Sequence, residues 1–398
     1  THTDAAGVSV GAVGILLSAN PLHRLLLNGP VGVAYAHRNR RRLFVLALFI
    51  GAVSTATYAL SRGFWPLLGG RLLWGLAWAG IWIGGNTIVA EIARDGARGR
   101  WMGLYQGFFF LGAAGGPVIG GFLTDRIGYH RAMGVAAGLT LIGALVALTC
   151  LPEVERTRPA PAGLVGALRW PILSLGSGTV AAIALHAVNR LVVSGVLNAT
   201  LGLLLQQELG ARIQIAGRSI GVATLTGSGI GFSTLLAMTS APVMGALSDR
   251  AGNRWNVAAI GLVPGVAGFV LLTIGAPWSI VAGLPLVALA SGSNQSLSTT
   301  LLSDLSPPGE QSRSLGRLFT VGDLASAVGP PLAYALIPFV GIRAGYLVSA
   351  GALAAMLVTA LSLSTHWMPG TRQMSAIRGS GSRPARAREP GPNGPDAE

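Results

Sequence analysis

The chain has 398 residues, 51% of them hydrophobic and only 11% charged, where an ordinary soluble domain carries roughly 25% charged residues. Together with a mean hydropathy of +0.59, this excludes a soluble globular enzyme. The net charge of +14 comes from 28 basic residues, all arginine, against 14 acidic ones; a lone Cys150 excludes an internal disulfide, and six scattered histidines show no metal-ligand spacing, so neither a metal nor a cofactor is expected.

A membrane helix needs ~20 predominantly apolar residues. Eleven such blocks follow one another, near 8–36, 43–60, 66–91, 101–124, 131–151, 172–205, 219–247, 255–275, 277–303, 314–338 and 342–365, which predicts an all-α polytopic membrane protein. The first block is too long for a signal peptide and carries an arginine in its middle. Polar and aromatic residues recur at helical spacing: Asn20, Arg24 and Asn28 on the first block, Trp78, Trp82 and Asn86 on the third, His186, Arg190, Ser194 and Asn198 on the sixth. With Asn294, Gln295 and Ser298 on the ninth, they are the expected lining of a central cavity suited to amphiphilic molecules. Gly112, Gly116 and Gly120 form a smooth stripe on the fourth block, against which a neighbouring helix is expected to pack closely, and Pro117 allows a bend there.

An ionisable side chain in mid-membrane costs roughly 2.5–3.5 kcal/mol on insertion scales, so it is expected to face the protein interior. Arg24, Arg71, Arg190 and Asp323 are placed that way, and Asp323 is the one acid near a helix midpoint. It is the candidate for a proton site, or else for a fixed ion pair with Arg190 or Arg71. Glu91 and Asp304 fall at helix ends. Alternating the connections puts fourteen arginines on one side and six on the other, and the positive-inside rule makes the fourteen-arginine side, with the tail, cytoplasmic. The clusters His37 to Arg42 and Arg383 to Arg388 therefore read as a solvated cytoplasmic face, and no nucleic-acid partner is expected.

A single ungapped offset of 213 superposes Gly32 on Gly245, Glu91 on Asp304, Arg100 on Arg313, Gly103 on Gly316, Gly116-Pro117 on Gly329-Pro330 and Gly128 on Gly341. Two tandem halves imply parallel repeats about an axis along the membrane normal, a transporter plan with its site between the halves. Residues 1–151 form an N-terminal bundle of five spans, 152–171 a cytoplasmic linker, 172–365 a C-terminal bundle of six, and 366–398 a disordered tail. The counterpart of the sixth span would start about 40 residues before Thr1, so a further span is expected upstream, the alternative being a protein that works with eleven.

Three motifs carry a family resemblance over residues 8–365. The run Gly245, Asp249, Arg250, Gly252, Arg254 resembles the cytoplasmic loop between helices eight and nine of the major facilitator superfamily. In its first-half counterpart Ala36 replaces the usual aspartate and Asn39 the usual glycine. Arg71, Gly75 and Ala77 resemble the arginine motif of family helix four, and Gly103, Gly112, Gly116, Pro117, Gly120 and Gly121 match the antiporter motif of helix five. The chain thus resembles the drug:proton antiporters. The resemblance implies a major facilitator fold lacking its first helix, a gating loop at Asp249, and proton-coupled efflux of small organic molecules by a monomer in the cytoplasmic membrane. A facilitator or nutrient importer of the same fold is the first alternative. A polytopic membrane enzyme finds no nucleophile-base pair or phosphate loop in the sequence, and a non-transporting sensor would not need symmetric halves.

Overall fold

The structure, a computed structural model, describes residues 3–92, 98–153, 176–215, 218–307 and 310–365. Most of the expected linker, the tail and its Arg383 to Arg388 cluster lie outside the described residues. After a short α1 (Thr3–Ala6) come α2 (Val10–His37), α3 (Arg40–Leu60), α4 (Phe64–Ile92), α5 (Arg98–Ile127) and α6 (Tyr129–Cys150). The sixth span runs without a break from α7 (Ser177–Asn189) through a π-helical stretch (Arg190–Leu197) into α8 (Asn198–Leu209). A small antiparallel hairpin, β1 (Arg212–Ile215) and β2 (Arg218–Gly221), then leads to α9 (Val222–Ala251), α10 (Arg254–Ile274), α11 (Pro277–Leu305) and α12 (Gln311–Thr365). Ten of these segments are long and apolar enough to cross a bilayer, and α12 breaks at Gly341 into two limbs, giving the eleven expected spans. Large apolar side chains such as Leu26, Phe108, Leu139 and Val348 stand on the outer surface, which only lipid accommodates at this density. The chain is a multi-pass membrane protein.

The repeat is visible in the backbone. Gly128 (φ 84°, ψ 161°) joins α5 to α6, and Gly341 (φ 77°, ψ 164°) joins the limbs of α12, 213 residues on; both adopt a left-handed φ that side chains disfavour. One pair of helices departs from the ungapped offset. Asn39 caps α3 and Asn253 caps α10, each accepting from backbone N–H groups of its own first turn, and these two lie 214 apart. Gly51 packs on Ala77 and Thr140, while Gly265 packs on Ala290 and Leu353, so the shift runs through both helices. Asn39 therefore corresponds to Asn253, not to Gly252. The extra residue lies between Gly245 and the end of α9, and the longer turn Ser61–Gly63, against Gly275–Ala276, restores the 213 register.

The main core sits in the C-terminal six spans, where Trp255, Phe269, Leu297, Leu301 and Tyr346 are fully buried together with Leu185, Leu201 and Leu204 of the sixth span. A much smaller cluster, Ala6, Leu16 and Leu67, occupies the N-terminal five, and α6 buries only Ala132 and Ala144. Part of the difference is the sixth span, which wedges against α11 and α12. A methyl group on its Gly195 would lie 2.9 Å from Gly329 Cα of α12. The repeat equivalent of Gly329 is Gly116, and methyls built on Gly112, Gly116 or Gly120 meet nothing within 4 Å. The expected packing of this stripe against a neighbour is thus not made among the described residues.

Candidate functional site

Two seams join the halves, α5 with α9 and α2 with the first limb of α12, and the repeat exchanges them. Gly14 approaches Pro330 and Pro331 so closely that a methyl would lie 2.8 Å from Pro331 Cα, and Gly227 approaches Pro117 and Val118 so closely that a methyl would overlap Pro117 O. One step along, Gly231 faces Ala114 O; its equivalent, Ser18, instead donates its hydroxyl to Ala327 O. Small residues here let two backbones touch, as in lipid-embedded helix pairs generally. Beyond them, Asp125 Oδ2 at the end of α5 accepts from Thr224 N at 2.7 Å and Thr224 Oγ1 at 2.6 Å. Asp125 thereby caps the first turn of α9 across the seam, a turn whose own cap residue, Gly221, has no side chain to offer.

All these contacts lie at the end remote from the arginine-bearing turns after α2 and α9. Every described hydrogen bond between the halves falls between that end and the level of Arg24. Towards the arginine end Gly29, Gly103 and Gly107 meet nothing within 4 Å. Among the described residues the halves are sealed on one side and unlinked by hydrogen bonds on the other.

Midway along stands a charge cluster. Arg24 of α2 places Nη2 2.5 Å from Asp323 Oδ1, and Arg190 of the π stretch places its own Nη2 3.5 Å from the same oxygen. Arg190 also donates to Ser194 Oγ at 3.1 Å. An i, i+4 line drifts steadily around an α-helix; the wider turn of the π stretch offsets that drift along the line from His186 to Asn198. His186, one turn before Arg190, is buried with Nδ1 3.2 Å from Ser298 Oγ and its ring edge-on to Phe319. Of the expected partners for Asp323, Arg190 is present and Arg71 is not: Arg71 lies 5.6 Å from the centroid of the Tyr58 ring. Arg24 takes that place.

The walls differ between the halves. On α4, Trp78 and Trp82 stack at 6.4 Å with planes 8° apart, and Phe109 of α5 meets both rings. Asn86 donates to Trp82 O at 2.7 Å and accepts from Gln106 Nε2 at 3.2 Å. On α11 the repeat equivalent of Trp82 is Gln295, which is exposed. Asn294 was expected beside it in the lining, but it is fully buried with its amide beside Gly261 of α10. Consecutive helical residues point about 100° apart, so the two amides cannot share one face. Asn198 is exposed, Asn28 half-buried, and Asn20 presses its backbone carbonyl on Gly75 of α4.

At the arginine end, Arg254 ties the α9–α10 turn together. Its Nη1 donates to Asp249 Oδ1 and Ser248 Oγ, each at 2.7 Å, and its Nε donates to Asp304 at the end of α11. Gly252 ends α9 in the left-handed conformation, and Arg250 is exposed. In the first half Arg40 pairs with Glu91, as Arg254 pairs with Asp304, and the shifted register explains the pairing. The cross-seam cap by Asp125 and the Arg40–Glu91 pair were not read from the sequence; only the tertiary fold reveals the first, since its partners are 99 residues apart.

The sequence profile described as Major Facilitator Superfamily matches residues 2–227 and 180–386. Among curated relatives, the class G tetracycline resistance protein of Vibrio anguillarum is 26% identical over 343 residues, covering 86% of this chain and 82% of that one. The class C tetracycline resistance protein of Escherichia coli is 26% identical over 330 residues, covering 81% and 79%. Among solved structures, a bacterial homolog of the human lysosomal transporter Spinster, in its inward-facing and occupied conformation, superposes with a TM-score of 0.72 at 14% identity over 92% of this chain and 93% of that one. With its paired helical repeats and matching profile, the chain belongs to the Major Facilitator Superfamily.

Proposed function

We propose that this transporter exports small amphiphilic organic molecules across the cytoplasmic membrane in exchange for protons, acting as a monomer whose halves, 1–151 and 172–365, rock about a central site. The observation that carries this reading is the one-sided seal: two repeat-related seams press backbones together at one end, and every described hydrogen bond between the halves lies from that end to the half-buried central cluster, as one state of alternating access requires. With the arginine-rich turns on the cytoplasmic side, the sealed end is external and the state is inward-open. The turn at Asp249, Arg250 and Arg254 then belongs to the inward gate, and likeness to tetracycline resistance proteins favours export of drug-like molecules over nutrient import.

Asp323 is the group whose charge can change between the two faces, because arginine keeps its proton under working conditions. In everted vesicles carrying an inward-acid proton gradient, tetracycline addition is expected to release protons with wild-type protein and not with Asp323→Asn. Accumulation that ignores the gradient would make the protein a facilitator, and unaltered proton release in Asp323→Asn would move the coupling site elsewhere.

A further inference from the structure

We infer that the central cluster receives an anionic group, so that the molecules carried include amphiphilic organic anions bearing a carboxylate or sulfonate. This rests on the export reading and sharpens it. Arg24 and Arg190, one from each half, meet at a single oxygen of Asp323. One carboxylate neutralises one guanidinium, and the second charge is left over. Other described acids near the spans are engaged elsewhere: Glu91 with Arg40, Asp304 with Arg254, Glu208 with Arg343, and Asp125 with Thr224. A guanidinium does not shed its proton, so the surplus is permanent. A cation away from bulk water gains most from an anion brought to it.

The geometry separates the two arginines. Arg24 holds Asp323 at 2.5 Å and forms a tight tie between the halves. Arg190 stands off at 3.5 Å, its side chain is 29% exposed, and its other terminal nitrogen is engaged with Ser194. Arg190 is therefore the receiving group, able to give Nη2 to an incoming anion while Arg24 keeps Asp323. The π stretch that carries it supplies the backbone irregularity common at binding positions. In the other half, the Trp78–Trp82 stack with Phe109 offers ring surface, while the repeat equivalents of the two tryptophans, Ser291 and Gln295, are polar.

Fluorescein and rhodamine 123 share a xanthene core and carry opposite charge near neutral pH, so they isolate the charge requirement. With purified full-length protein, dye anisotropy is expected to show fluorescein binding at least about tenfold more tightly than rhodamine 123. Arg190→Gln should weaken fluorescein at least about tenfold without weakening rhodamine 123, whereas Arg190→Lys should keep fluorescein within about threefold. Benzoate, and not benzamide, should displace fluorescein from the wild-type protein, a measurement that does not depend on any variant folding. Equal binding of the two dyes, fluorescein binding indifferent to Arg190→Gln, or displacement by benzamide as well as benzoate would each overturn the inference. Export of rhodamine 123 without fluorescein binding would keep the export reading and end this one. Arg190-dependent fluorescein binding without transport would do the reverse.

Discussion

The seam between α5 and α9 and the seam between α2 and α12 press repeat-equivalent backbones together, yet each is fastened by polar groups at a different depth. In the first, Asp125 caps Thr224 at the outermost turn, and the repeat equivalents of these residues in the second seam are Pro338 and Gly11, which offer no side-chain donor or acceptor. In the second, Ser18 bonds Ala327 O and Arg24 meets Asp323 near the middle; their equivalents in the first are Gly231, Ala114, Ala237 and Phe110. Close backbone approach is the shared requirement. The polar fasteners have diverged, one to a rim position, the other to the centre of the seam, where the charge cluster stands.

Cysteines at the equivalent seam positions Ala114 and Ala327, placed one at a time in a Cys150→Ser background, report each seam through their labelling rate with a water-soluble maleimide. The largest effect is expected from Arg24→Gln. Removing one partner of a buried pair costs about 3–5 kcal/mol, less here because both side chains are 18% exposed and Arg190 remains. Labelling at position 327 should rise at least about tenfold and fall back when Asp323→Asn is added; an unchanged rate would remove Arg24 from the seam. Gly14→Val and Gly227→Val come next, at about 1–3 kcal/mol of overpacking each. Each should raise labelling in its own seam by similar factors, and a strongly unequal pair would break the claim that the backbone plan is common. Asp125→Ala is the smallest, losing a helix cap worth about 0.5–2 kcal/mol, or about 2- to 30-fold in labelling at 114 with no change at 327. Equal changes at both positions would mean that the seams open as one.

Much of this architecture is legible in the sequence. Lipid demands long apolar helices, so the spans announce themselves, and the glycines and prolines at the seams recur because backbone contact tolerates few residue types. The one-residue shift through α3 and α10 is hidden because every landmark of the 213 offset lies outside that pair, the extra residue falling in the last turns of α9 and its compensation in the turn Ser61–Gly63. Of the four mid-span charges the sequence offers, three meet in the central cluster and Arg71 does not; the Arg190–Asp323 pair was expected, whereas Arg24 and Asp323 are 299 residues apart and no local pattern links them. Asn294 departs from the expected lining because polarity alone does not turn a side chain to a cavity: helical phase points it towards α10.

Gly128 and Gly341 each connect two spans through a single residue, where a flexible loop of many residues would absorb motion. Such a joint has no slack. Tilting α5 or the first limb of α12 at its seam carries the attached helix with it, so the strokes reach α6 and the last limb of α12, whose outer faces bear Leu139, Ile142, Val348 and Val358 towards the surrounding acyl chains. In the proposed alternating-access cycle the strokes would displace lipid as well as substrate, and the lateral pressure of the bilayer would become a load on the same levers that open and close the cavity.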